Sequence, residues 1–135
     1  MTGTGISAGI RAGDELPPLE IDVTPTFVVS TALATRDFQD VHHDRDLAVE
    51  RGSKDIFLNI LTDTGLVQRF VTDWAGPSAL VRQISIRLGV PCYAHETLTF
   101  TGRVASVSED GECVVEVVGR NSLGEHVSGT VRVVL

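Results

Sequence analysis

No run of this 135-residue chain approaches the roughly 20 consecutive apolar residues that a helix needs to cross a bilayer, so a helical membrane protein is excluded. A basic surplus is missing too. Eleven Lys and Arg stand against 18 Asp and Glu, a net charge of −7, which argues against the phosphate neutralisation that drives nucleic-acid binding. Cysteine is scarce: Cys92 and Cys113 form no CxxC pair, which removes zinc-knuckle and redox motifs. They are expected as small buried hydrophobes in a reducing cytosol, with a disulfide as the alternative. The first 13 residues, MTGTGISAGIRAG, lack the charged start and apolar stretch of a signal peptide. They predict a flexible tail over residues 1–14 and a cytoplasmic protein. No repeat, low-complexity tract or linker divides the remainder, so residues 15–135 are expected to form one domain.

The hydrophobic pattern of that domain changes once. Leu19-Glu20-Ile21-Asp22-Val23 alternates strictly and predicts a half-exposed strand. Thr24-Pro25 opens a short helix, with Thr as cap and Pro in the first turn. Leu47-Ala48-Val49-Glu50 fits one helical turn stopped by Gly52. Ser53 is placed to cap a long helix with the stripe Ile56, Phe57, Ile60, Leu61, Thr64, Val67, Phe70, Val71 and Trp74, ended by Gly76-Pro77. From Ala79 the period becomes two. Strands are expected along Arg82–Val90, Thr97–Val104, Cys113–Gly119 and His126–Leu135, with turns at Glu109-Asp110-Gly111 and Asn121-Ser122-Leu123-Gly124. A strand, a helical region, one long helix and four antiparallel strands predict an α+β protein in which a sheet curls around a single helix, the hot-dog architecture.

Chemistry-bearing side chains crowd into Asp37–Asp46, with four Asp and the adjacent pair His42-His43. A solvated acidic loop is the plain reading. A metal site would need further ligands, yet the other histidines, His95 and His126, fall in the strand-rich half. Acid–base catalysis by a carboxylate and an imidazole sharing one substrate atom is the third reading, and the spacing favours it.

Asp37-Phe38-Gln39-Asp40-Val41-His42 resembles the Asp-x-Asn-Pro-(Ile/Leu)-His signature of the MaoC-like (R)-specific enoyl-CoA hydratase family, and Asp44 matches its trailing Asp. Gln39 and Asp40 depart from the Asn-Pro of that signature. Val90-Pro91-Cys92-Tyr93-Ala94-His95-Glu96-Thr97-Leu98 resembles a second element of the same family. TALATRDFQDVHHDRD, GSKDIF, NILTDTGLVQR, VTDWAGPSAL and RLGVP are similar to the small subunits of actinobacterial steroid side-chain enoyl-CoA hydratases. The resemblance implies a hydro-lyase that acts on an enoyl-CoA thioester, the shortened side chain of cholesterol, without a metal or cofactor beyond the CoA of its substrate. It implies Asp37 and His42 as the catalytic pair, and a backbone N–H near Asn59 as oxyanion donor. It also implies a larger MaoC-like partner in a heterodimer or heterotetramer. His43 is expected to have a scaffold or surface role. A hot-dog thioesterase using Asp63 and a non-catalytic partner subunit are the alternatives. Asp73 is expected in solvent, and Arg82, Arg87 and Arg103 are candidates for the CoA phosphates, with plain exposed surface as the commoner role of strand arginines.

Overall fold

A computed structural model describes residues 9–135. The first eight residues of the expected tail lie outside that part. Its last two already run beside the sheet: Gly13 donates to Val104 O at 2.7 Å, and Asp14 O accepts from Val104 N at 2.8 Å.

Five strands form one antiparallel sheet: β1 (Leu19–Asp22), β2 (Leu80–Leu88), β3 (Thr97–Val107), β4 (Glu112–Asn121) and β5 (Gly124–Val134), in the order β1-β3-β4-β5-β2. Between β1 and β2 the chain makes α1 (Pro25–Ala34), a 3-10 turn (Asp40–His42), α2 (Arg45–Glu50) and α3 (Ile60–Ala75). This is the expected α+β hot-dog arrangement. The period-two pattern sets the inner face. Leu98, Phe100 and Val104 of β3, Cys113, Val115 and Val117 of β4, and Val127, Val131 and Val133 of β5 are all buried. Against them α3 presents Leu66, Val67, Phe70 and Val71. The Phe70 and Phe100 rings stack at 5.9 Å. Gly102 leaves the room for this, since a Cβ there would lie 2.8 Å from the Phe70 ring.

Thr24 caps α1 as expected, its hydroxyl accepting from Phe27 N at 3.0 Å. The start of α3 is a correction. The apolar stripe predicts helix from Ser53 onward, but the helix begins at Ile60 with Asn59 as N-cap. Ile56, Phe57 and Leu58 are extended and pair with the segment before β3: Leu58 N donates to Cys92 O at 3.0 Å, and Ala94 N to Ile56 O at 3.0 Å. Ile56 and Leu58 are buried and Phe57 between them is half-buried, the alternation of a strand. Three apolar residues in a row fit either period, and the tertiary pairing decides. Cys92 and Cys113 are free and buried, and burial raises the Cys92 thiol to about 11.

Candidate active site

Asp37 owes its place to the way α1 ends. Arg36 adopts a left-handed conformation (φ 57°), its N–H donates to Leu33 O at 3.0 Å, and Asp37 N donates to Ala32 O at 2.9 Å. These two bonds make a Schellman motif with arginine where glycine is usual, and they turn Asp37 back over the helix end. Asp37 Oδ1 accepts from Gln39 N at 3.3 Å, a local turn in the stretch where Gln39 and Asp40 stand in place of the signature's Asn-Pro.

His42 closes the 3-10 turn and is buried. Its Nδ1 lies 2.7 Å from Phe57 O. A carbonyl only accepts, so Nδ1 carries the proton and Nε2 holds a lone pair in the neutral ring. That Nε2 faces Asp37 Oδ2 at 3.5 Å. The Phe57 ring meets the imidazole edge to face at 4.9 Å. A carboxylate oxygen and a basic nitrogen thus converge at a separation that lets one water bond both, at about 2.8 Å each.

Asn59 stands beside the pair. Its side-chain nitrogen donates to Thr35 Oγ1 at 2.9 Å and to Asp37 Oδ2 at 3.2 Å, while its oxygen accepts from the Thr62 hydroxyl. The residue expected only for its backbone N–H therefore also holds the carboxylate with its side chain. Thr35 and Thr62 complete this network and carry no signal in the sequence. Asn59 does not cap α3 with its side chain, and its own N–H makes no hydrogen bond among the described residues. The start of α3 thus offers free donors and the positive end of the helix dipole.

The other candidates separate from this cluster. His43 is scaffold: Nε2 bonds to Asp37 O, and the ring stacks on Phe38. Asp44 caps α2, accepting from Leu47 N at 3.1 Å, and Asp40 pairs with Arg51 at 2.6 Å. Asp63 is fully buried, with Oδ1 2.9 Å from His126 Nε2, so it does not meet solvent as a thioesterase carboxylate must. Asp73 is exposed and pairs with Arg69 at 3.4 Å. Arg103 pairs with Glu116 at 3.1 Å, and Arg82 and Arg87 are exposed on β2. No three His, Cys, Asp or Glu among the described residues group in a way that could hold a metal ion. No described helix is long and apolar enough to cross a membrane.

No protein-family model matches the chain. Over 119 residues it is 69% identical to the 3-oxo-4,17-pregnadiene-20-carboxyl-CoA hydratase beta subunit of Mycobacterium tuberculosis, covering 88% of this chain and 92% of that one. A chain in the crystal structure of the ChsH1–ChsH2 complex from Mycobacterium tuberculosis superposes with a TM-score of 0.90 at 66% identity, over 92% of this chain and 97% of that one. An (R)-hydratase from A. caviae involved in PHA biosynthesis superposes with a TM-score of 0.87 at 17% identity, over 94% and 98% of the two chains, which is a likeness of fold. The first of these relatives is close enough over nearly its whole length to settle the family, and the chain belongs with it to the MaoC-like (R)-specific enoyl-CoA hydratases.

Proposed function

We propose that this chain is the catalytic small subunit of an enoyl-CoA hydratase acting in the cytoplasm on a steroid side chain, with Asp37 and His42 as its acid–base pair. The observation that carries this reading is the approach of His42 Nε2 to Asp37 Oδ2 at 3.5 Å, with Nδ1 committed to Phe57 O. In the proposed reaction the two groups hold one water between them. His42 Nε2 takes its proton as the oxygen bonds to the β-carbon, and the π-electrons move to the α-carbon and the thioester oxygen. The Asp37 carboxylate, held by Asn59 and Gln39, stabilises the imidazolium that forms. The imidazolium then returns the proton to the α-carbon on the same face. The thioester oxygen carries the developing charge, and the N–H groups around Asn59 at the start of α3 receive it. Water is consumed and nothing leaves, so the reaction needs no cofactor beyond the CoA already on the substrate.

The steroid substrate rests on the 69% identity to a hydratase subunit named for a pregnadiene carboxyl-CoA. The partner rests on that relative's being a beta subunit and on the two-component complex. We read the partner as a larger MaoC-like chain, in a heterodimer or in a heterotetramer of two such pairs. Exposed Leu33 and Phe38 flank Asp37 in sequence and exposed Ile60 and Leu61 follow Asn59, apolar surface that a partner and a wide substrate would cover.

The test is to incubate the chain, alone and co-expressed with its partner, with a steroidal enoyl-CoA and follow product mass. A gain of one water with the thioester intact supports the hydratase. Release of CoA thiol at a comparable rate makes the protein a thioesterase, and full activity of the chain alone removes the need for a partner.

A further inference from the structure

Asp63 and His126 take no part in the chemistry above, yet they are the most deeply buried ionisable contact among the described residues. Asp63 lies one turn into α3, and its N–H donates to Asn59 O at 3.2 Å. Its Oδ1 meets His126 Nε2 of β5 at 2.9 Å, and the other ring nitrogen, Nδ1, lies 2.6 Å from Val90 O. The carbonyl requires a proton on Nδ1, so a second proton is shared between Nε2 and Oδ1. The His126 peptide oxygen also accepts from Gly89 N at 2.8 Å. One histidine thus ties the first turn of α3 to β5 and to the chain leaving β2.

Stability alone does not account for this pair. Asp63 Oδ2 has no hydrogen-bond partner among the described residues, and a half-satisfied carboxylate in the core is a poorer filling than an apolar side chain of similar size. What the pair supplies is direction. Leucines can slide over the inner face of the sheet, whereas the Asp63–His126–Val90 chain of bonds allows one height and one rotation of α3. Asn59 depends on that height, since its side chain must reach Thr35, Asp37 and Thr62 at once.

We propose that Asp63 and His126 are positioning residues for the hydration step: they fix the first turn of α3 and through it hold Asn59 against Asp37. The inference rests on the hydratase reading and assigns neither residue a contact with substrate.

The experiment uses the co-expressed complex. Asp63→Ala should assemble normally and lose kcat by about thirtyfold with KM changed by less than about twofold, because the ground-state contacts with CoA stay in place. Asp63→Asn still donates to the Nε2 lone pair and should recover kcat to within about threefold. The apolar double variant Asp63→Leu/His126→Leu covers the case in which Asp63→Ala does not fold. It should melt no lower than the parent and still lose kcat by about tenfold or more. Wild-type kcat in that double variant, or losses that track KM and assembly, would overturn the proposal. A second readout is independent of activity: the Asn59 side-chain amide should give protected, distinct NMR signals in the parent and averaged ones in the double variant. Unchanged Asn59 signals overturn the positioning role. An inactive parent with the expected Asn59 change overturns the hydratase reading alone.

Discussion

Asn59 turns the nitrogen of its side-chain amide, not the oxygen, toward Asp37, at 3.2 Å. The Thr62 hydroxyl dictates this orientation by donating to the amide oxygen. Asn59→Ala should lower kcat by roughly 10- to 100-fold with little change in KM, because it frees the Asp37 carboxylate without touching the CoA. Asn59→Asp should be worse, since it sets a second carboxylate against the first. Steady-state kinetics of the two variants check the order, and an Asn59→Asp enzyme as fast as Asn59→Ala contradicts it.

Asp37→Asn or His42→Ala should each abolish nearly all hydration while leaving the fold intact. Both are proposed to act on one water, so the double variant should be little slower than either single one. His43→Ala removes a bond to the Asp37 carbonyl and the stacking on Phe38, and should lose about tenfold at most. Single-turnover rates with matched circular dichroism spectra decide it.

The buried pair gives stability a pH dependence of definite sign. Burial raises the Asp63 carboxyl above its ordinary 3.8, against the opposing pull of His126. Burial pulls the His126 ring down, but the hydrogen bond and charge of Asp63, with the Val90 carbonyl, outweigh it and hold the ring above 6.5. In both cases the folded state keeps a proton that the unfolded chain releases. The His126 contribution is therefore full below 6.5 and is lost as pH rises through its folded value, and the Asp63 contribution is likewise full below 3.8 and lost as pH rises. Thermal melts should fall on the alkaline side of 6.5, and Asp63→Leu/His126→Leu should flatten that slope.

Arg36 carries a left-handed backbone that costs a non-glycine residue about 1 kcal/mol. Arg36→Gly should relieve this and raise the melting temperature by roughly 3 °C, as scanning calorimetry would show. A lower melting temperature would mean that the arginine side chain stabilises the fold by more than the strain costs.

Gly119 of β4 shows the opposite case. A Cβ there would lie 2.9 Å from both the Phe100 ring and Val127, inside the layer that receives α3. Gly119→Ala should destabilise by about 1–3 kcal/mol, measured by urea unfolding with an unchanged slope.

The strands were legible because period two survives burial: Thr97, Thr99 and Thr101 alternate with Leu98, Phe100 and Gly102 as the sheet requires. Helix α1 was legible from Thr24-Pro25, and the approach of His42 to Asp37 from their spacing. Three features were not. The extended Ile56–Leu58 fits a helical stripe as well as a strand, and its pairing with Cys92–Ala94 is long-range. The Schellman turn at Arg36 uses a residue with no left-handed preference. Asp63 and His126 are 63 positions apart, and only the topology, which brings β5 over α3, makes them neighbours.

The carbonyl of Phe57 is free to receive the His42 proton because residues 56–58 are not helical. Had α3 begun a turn earlier, as its apolar stripe invites, that oxygen would be spent on an amide four residues on, and the imidazole could choose either tautomer. Stronger helix formers at Ile56–Leu58 would pull this stretch toward the longer helix at the loss of its pairing with Cys92–Ala94. Such a protein would gain a turn of secondary structure and lose the fixed tautomer of His42, so helix length and site geometry are opposed at one peptide oxygen.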